Sequence, residues 1–304
     1  MIDFLQNLID ALSLGSLYAL VALGIGLLFG ILRLVNFAHG DFITLGAYAL
    51  IVPSSNVVAS MFIGSWYWAL LIPAVCAIVI IVALATDVLV FRPLRSTSAP
   101  TLMIASFAVS YMIQNGILMV YGARPKSANL WPGLDTQIMA GGLRIPLLDV
   151  VTIVTTLALM GLLTLFLFRT RWGVQMRAAA EDFRMAQYLG VRGNFVIGMA
   201  FAVSGVLAAA VSLLFLAQTG SLSNVMGVPL ALFAFVAVVV GGMGSLPGAV
   251  AGGFLVGFVV TMLQAYLPSD LRVFRDAFAF AFVILVLLVR PAGLIPSRTI
   301  QERV

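Results

Sequence analysis

Charge is what this chain mostly lacks. Only 9% of its 304 residues are Asp, Glu, Lys or Arg, while 62% are hydrophobic; ordinary globular chains use roughly 25% charged residues. The apolar stretches therefore belong to a lipid environment rather than to a soluble core. Histidine and cysteine occur once each. That excludes a Cys/His nucleophile pair, a metal site assembled within the chain and an intramolecular disulfide framework. Cys76 lies inside an apolar run and reads as a small buried hydrophobe. No G-x-x-x-x-G-K-[ST] loop is present, and the glycine-rich GGMGSLPG at 241–248 lacks the lysine, so no nucleotide is bound in the P-loop manner. The apolar runs also lack the chains of carboxylates that ion-coupled carriers use. Neither catalysis nor a bound cofactor is expected of this chain alone. Its net charge of +5 is no nucleic-acid signature, because the arginines stand at the edges of the apolar runs.

What is there is a series of spans. A membrane helix needs about 20 mostly apolar residues, which predicts spans over 8–31, 36–52, 64–90, 99–121, 147–168, 194–217, 228–242, 248–267 and 277–290. The second, seventh and ninth are short or interrupted by glycine. The N-terminal stretch lacks the basic region of a secretory signal and reads as a retained first span. The expectation is an all-α integral membrane protein, a polytopic helical bundle of eight or nine spans forming one transmembrane domain over 1–304. Small-xxx-small patterns (Gly26/Gly30, Gly248/Gly252, Gly253/Gly257 and Ala200/Ser204/Ala208/Ser212) predict tight helix crossings.

Orientation follows from the basic residues. If the 169–192 loop is cytoplasmic, it shares that side with Arg33, Arg92, Arg95, Arg290, Arg298 and Arg303, together eleven of the sixteen basic residues. The C-terminus is then expected inside and the N-terminus outside. The longest external connection, 122–146, carries Pro125, Trp131, Pro132 and Pro146, with a small hairpin predicted in QIMAGGLRIP turning at Gly141–Gly142. A docking surface for an extracytoplasmic partner and a passive lid both fit it.

Two segments carry polar groups that lipid would not tolerate. The first is LVNFAHGDFITLGAY. Counted from Arg33 in a continuous helix, Asp41 would lie about 12 Å deep at 1.5 Å per residue. A charge there costs roughly 2.5–3.5 kcal/mol on insertion scales, so Asn36, His39 and Asp41 around Gly40 must face protein or water, in a helix that breaks. In the fourth run Ser106, Ser110 and Gln114 recur every four residues on one face, with Asn115 beside them. Asn36, Phe37, His39, Gly40, Asp41, Gln114, Asn115, Gly241, Gly242 and Gly244 are candidates for a translocation path or its gate. An interior hydrogen-bond cluster that orients helices remains the alternative.

The second segment is RTRWGVQMRAAAEDFRMAQYLGVR, 169–192, the one long polar, helix-forming stretch in the chain. A helix is predicted over 178–190, supported by an Arg177–Glu181 pair and stopped at Gly190. Ala179, Phe183, Ala186 and Gly190 share one stripe. So short a helix is marginal alone in water and needs a surface to pack on.

Four stretches taken in order, LLFGILRLVNFAHGDFITLGAY (27–48), RAAAEDFRMAQYLGV (177–191), VVVGGMGSLPGAVAGGFLVG (238–257) and LLVRPAGLI (287–295), resemble the H-type permease of Liv-type branched-chain amino acid ATP-binding-cassette importers. The resemblance runs from the first span to Ile295. It implies a multi-pass subunit of a bacterial inner membrane, paired with an M-type permease. Two cytoplasmic ATPase subunits using ATP and Mg and a periplasmic substrate-binding protein would complete the importer. It also implies that the A-x-x-x-G element, here Ala186 and Gly190, docks on an ATPase, with Arg177, Glu181, Asp182, Phe183 and Arg184 around it. The full E-A-A-x-x-x-G string is absent, AAAED being followed by FR and then MAQYLG, which leaves individual contacts open. Branched-chain amino acids are the substrates the resemblance implies first, ahead of other amino acids, amides, urea or small carboxylates. A stand-alone carrier or channel built on Asn36, His39 and Asp41, and a membrane scaffold whose loop binds a cytoplasmic regulator, are the competing expectations.

Overall fold

A computed structural model describes residues 2–33, 35–54, 56–134, 136–140 and 143–295. The elements in chain order are α1 (Ile2–Leu32), α2 (His39–Tyr48), α3 (Trp68–Thr86), a π-helical turn (Asp87–Phe91) running into α4 (Arg92–Leu94), and α5 (Ala99–Tyr121). There follow β1 (Lys126–Ser127), β2 (Gln137–Ala140), β3 (Leu143–Pro146), α6 (Leu147–Arg169), α7 (Arg171–Glu181), α8 (Phe183–Tyr188) and α9 (Gly193–Thr219). The chain continues through β4 (Ser221–Leu222), α10 (Gly227–Gly241), α11 (Leu246–Tyr266), a 3-10 turn (Ser269–Phe274) and α12 (Arg275–Val289). This is the all-α polytopic architecture the sequence predicts.

Every predicted span coincides with a helix, but not every helix is a span. Among the described residues six are long and apolar enough to cross a membrane: α1, α3 with its continuation to Leu94, α5, α6, α9 and α11. The 15-residue α10 is shorter, and α12 has the same length. The run predicted over 36–52 gives only the ten-residue α2. At 1.5 Å per residue it rises about 15 Å, half of the roughly 30 Å hydrocarbon layer.

The helices divide into two compact units. One comprises Met1–Gly26, Trp131–Gly161 and Leu232–Val304. Here backbones pack at glycine, as apolar helices must when lipid offers no hydrophobic gain for bulkier contacts. A Cβ on Gly257 would stand 2.3 Å from Gly15 Cα, and one on Gly253 2.5 Å from Ala19 Cα, so α11 lies directly on α1. On another face of α11, a Cβ on Gly252 would meet Ala237 O of α10 at 2.0 Å. Phe233 of α10 stacks on Phe280 of α12 and on Tyr18 of α1. Strands β2 and β3 pair antiparallel from Gln137↔Pro146 to Ala140↔Leu143. The turn at Gly141–Gly142 lies outside the described residues, as do Arg298 and Arg303.

The other unit comprises Leu27–Leu130 and Leu162–Ala231. Its centre is α2, nine of whose ten residues are buried, wrapped by α3, α5 and α9. The Ala200, Ser204, Ala208 and Ser212 stripe of α9 is wholly buried. A Cβ on Gly46 would stand 2.6 Å from Ser212 Oγ, which places the stripe against α2. Of the predicted Gly26/Gly30 pair only Gly26 has close neighbours; Gly30, near the end of α1, has none within 4 Å. Strand β1 pairs antiparallel with the distant β4. Buried Lys126 donates from Nζ to the Ser54 and Asn56 carbonyls, fixing the preceding loop.

Replacement of Gly257 by Ala is expected to destabilise the chain by about 1–3 kcal/mol, because the added atom meets backbone that cannot swing aside. Gly161, with nothing within 4 Å, serves as the control: Gly161→Ala is expected to be neutral or stabilising by about 0.5–1 kcal/mol. Thermal unfolding in detergent checks both, and equal midpoints for the two variants would contradict this packing.

Candidate translocation site and coupling loop

Helix α1 ends at Leu32, and Arg33 takes a left-handed φ of +56°. Residues 35–38 are non-helical. The first polar groups of α2 are met locally: Asn36 Oδ1 accepts from Ala38 N at 3.1 Å, and Asp41 N and Phe42 N donate to Ala38 O. From outside the segment, Ser106 Oγ of α5 accepts from Phe37 N at 3.3 Å. The Phe37 ring stacks on Phe107 with centroids 4.2 Å apart. The Phe37, Ala38 and His39 backbone amides thus find oxygen within the protein.

Asn36, His39 and Asp41 are each fully buried. The ring Nδ1 of His39 lies 2.9 Å from Ser204 Oγ on α9. Asp41 Oδ1 accepts from Gln114 Nε2 at 3.0 Å, and the same amide reaches Ser110 Oγ at 3.0 Å. The predicted polar face of α5 therefore exists and is turned toward α2. Each of the three residues also has one polar side-chain atom with no hydrogen-bond partner: Asn36 Nδ2, His39 Nε2 and Asp41 Oδ2. Gly40 is needed for a crossing: a Cβ there would stand 2.6 Å from Gly227 O at the start of α10. Thr44 Oγ1 accepts from Gly227 N at 3.0 Å and donates to Gly40 O at 3.3 Å. The sequence reading passed over Thr44 and Gly227; the spacing of Thr44 from Gly40, one helical turn, was the available signal.

Not all the path candidates join this cluster. Asn115 Nδ2 turns back to Tyr111 O of its own helix. Gly241 ends α10, and Gly242 and Gly244 belong to the turn that follows. Gly242 and Gly244 have φ of +114° and +84°, and a Cβ on Gly241 would meet Gly248 O at 1.9 Å. The turn seats the PAGLI segment: Leu294 N donates to Val240 O at 2.8 Å and Ile295 N to Gly241 O at 2.9 Å. Two of the four diagnostic stretches thus meet through their backbones.

The 169–192 loop is two helices, not one. Thr170 caps α7 by accepting from Gly173 N at 3.0 Å. Asp182, extended at φ −142° and ψ 103°, ends α7 and caps α8, its Oδ1 accepting from Arg184 N at 2.9 Å and Met185 N at 3.0 Å. A short carboxylate competes for backbone donors better at a cap than in a helix interior, so the continuous helix predicted over 178–190 breaks there. Gly190 is the stop expected, with φ of +90°. Gly190 N donates to Gln187 O and Val191 N to Ala186 O, the paired bonds of a glycine C-cap. Arg177 forms no ion pair with Glu181 among the described residues. Its Nε donates to Leu167 O at 3.0 Å and its guanidinium lies 4.4 Å over the Phe168 ring, tying α7 to the end of α6.

The loop has two faces. Ala179 and Ala186 of the predicted stripe are buried, Phe183 is half-buried, and Gly190 is exposed. Outward stand Glu181, Asp182 and Arg184 together with Met185, Tyr188 and Leu189, the last two 83% and 84% exposed. The sequence reading missed these three apolar residues, although they fall opposite the buried stripe. It also took Arg95 only as an orientation signal. Arg95 bridges buried Asp87 in the π turn and Asn194 at the start of α9, each at 2.5 Å.

The protein family described as branched-chain amino acid transport system / permease component matches residues 7–289. The chain is 33% identical over 304 residues to the high-affinity branched-chain amino acid transport system permease protein BraD of Pseudomonas aeruginosa, covering 98% of each. It is 34% identical over 308 residues to the corresponding permease protein LivH of Escherichia coli K12, covering 98% of this chain and 97% of that one. A probable branched-chain amino acid transport permease of Methanocaldococcus jannaschii is 27% identical over 297 residues, covering 93% and 90%. No solved structure matches the chain.

Loss of the Asp182 cap is expected to cost α8 about 1 kcal/mol. In Asp182→Ala the Arg184 and Met185 amides should exchange with deuterium severalfold faster, while Asp182→Asn, which keeps an accepting oxygen, stays near the parent. Unchanged exchange in the alanine variant would show that α8 does not depend on this cap.

Proposed function

The chain belongs to the branched-chain amino acid transport permease family, and on that premise we propose that it is a membrane subunit of a binding-protein-dependent ATP-driven importer of branched-chain amino acids. The observation that carries the mechanism is the two-faced α7–α8 loop. Its inner face is fixed to membrane helices through Arg177 and the buried Ala179 and Ala186, and its outer face is free. A chain without a P-loop must take its energy from elsewhere, and this loop is where another protein can push.

The importer is completed by an M-type permease subunit, two ATPase subunits that bind ATP and Mg, and an extracytoplasmic substrate-binding protein. The bias of basic residues supports a cytoplasmic α7–α8 loop and C-terminus, with the N-terminus outside, in a bacterial inner membrane. When the ATPases close, α7 and α8 move with them. Two routes lead inward: α7 packs on α9, and Arg33 Nη2 donates to Ala180 O at 3.3 Å, linking the loop to the break before α2. Because α9 also carries Ser204, the hydrogen-bond partner of His39, both routes end at the α2 cluster. Asn36, Phe37, His39, Gly40, Asp41 and Gln114 thereby form the gated part of the path. The nucleotide cycle gives direction, since ligand binding alone shifts an equilibrium only by its differential affinity for two states. Neither the carrier nor the scaffold reading has a comparable carrying observation.

Uptake by the complex in proteoliposomes is expected only with ATP inside and loaded binding protein outside. ATP-independent uptake by this chain alone would overturn the reading. Gly190→Val forces a side chain into the left-handed region, at about 1–2 kcal/mol. It should lower uptake at least tenfold relative to ATP hydrolysis while leaving membrane insertion intact; unchanged coupling would remove Gly190 from the mechanism.

A further inference from the structure

Asp41 is a carboxylate that pairs with no cation among the described residues. It is fully buried, and its Oδ1 is held by the neutral amide of Gln114, which also reaches Ser110 Oγ. The ion pairs among the described residues lie elsewhere, at Asp87–Arg95 and Arg275–Asp276. Its position in the first turn of α2 gives it the positive end of a helix dipole, which favours an anion by roughly 0.3–1 kcal/mol. Removal of a carboxylate from water costs several kcal/mol. The helix end therefore compensates only part of that cost, and Oδ2 still lacks any donor.

The geometry around Asp41 is that of a buried group held at one end and unpartnered at the other. Gln114 fixes one oxygen and, through its second contact to Ser110, is itself oriented. What the free oxygen lacks is a cationic N–H donor. A charged hydrogen bond of that kind is worth about twice a neutral one, and an ionisable residue inside a membrane protein is expected to have such a functional partner. Resting on the importer reading above, we propose that Asp41 is the station in the permeation path that takes the protonated α-amino group of the passing amino acid. A primary ammonium fits: it is compact, carries three donors, and would meet in Oδ2 the one oxygen of Asp41 that has no partner. The apolar side chain of the same solute needs only the aliphatic and aromatic surface that α2, the break before it and α5 supply, including Phe37 on Phe107.

The test uses the assembled complex in proteoliposomes, with binding protein saturated by leucine and probe molecules that carry one end of leucine each. Isoamylammonium keeps the amine and lacks the carboxylate; 4-methylpentanoate keeps the carboxylate and lacks the amine. Their affinities for the isolated binding protein are measured first, so that only inhibition arising in the permease is counted. Isoamylammonium is expected to inhibit wild-type uptake at concentrations at least tenfold lower than 4-methylpentanoate. Asp41→Asn should abolish that preference and lower uptake at least tenfold while binding-protein-stimulated ATP hydrolysis continues, and Asp41→Glu should restore the preference. Equal inhibition by the two probes, or an amine preference that persists in Asp41→Asn, overturns the proposal. So does joint loss of uptake and ATP hydrolysis in Asp41→Asn without rescue by Asp41→Glu, which assigns the carboxylate a structural role. If wild-type complex fails to import at all with ATP and binding protein present, it is the importer reading that falls.

Discussion

A helix that begins inside a membrane protein presents its first four N–H groups to whatever surrounds it, and hydrocarbon offers them nothing. Helix α2 begins in that way. Much of its unit is arranged so that this beginning never meets lipid. Asn36 folds its amide oxygen onto Ala38 N, Ser106 reaches across from α5 to Phe37 N, and α3, α5 and α9 enclose the rest. The close approach to α10 follows from the same requirement: Gly40 and Gly227 are bare of side chains at the point where Thr44 serves both backbones. Half-length helices of this kind are tolerated only where protein or a water-filled cavity lines them.

The α7–α8 loop answers to a different constraint. Segments as short as α7 and α8 are not stable alone in water, so each is held by fixed points: Thr170 and Asp182 at their starts, Gly190 at the end, and the Arg177 contacts to the end of α6. The Arg95 bridge from the π turn to the start of α9 adds stiffness where the loop re-enters the membrane helices. π-helical turns are frequent at functional positions, and this one holds a buried carboxylate facing an arginine.

The helices were legible in the amino-acid sequence because runs of apolar residues of span length have no other stable state. The glycines that α11 uses against α1 and α10 were legible for the same reason, since bare positions four apart serve mainly to bring backbones together. Less was legible where a single polar side chain decides the outcome. Asp182 sits among good helix formers, and nothing in its spacing tells a cap from a helix interior; the choice depends on two amides that exist only after the break. Asn115 looks equivalent to Gln114 in the sequence, yet one residue turns the side chain by about 100° around a helix and away from Asp41. The pairing of His39 with Ser204 joins residues 165 positions apart, and the small-residue stripe that contains Ser204 showed the packing without showing the partner.

The central claim is that the break before α2 is the moving part and that the α7–α8 loop moves it. Hydrogen–deuterium exchange on the assembled complex in lipid nanodiscs tests this most directly, comparing the amides of 36–48 with those in the middle of α1 under nucleotide-free and turnover conditions. The account predicts that 36–48 is as protected as α1 at rest and that its exchange rises at least tenfold only when ATP and loaded binding protein are both present, with the rise lost in Gly190→Val. Protection of 36–48 that stays equal to that of α1 during turnover would contradict it.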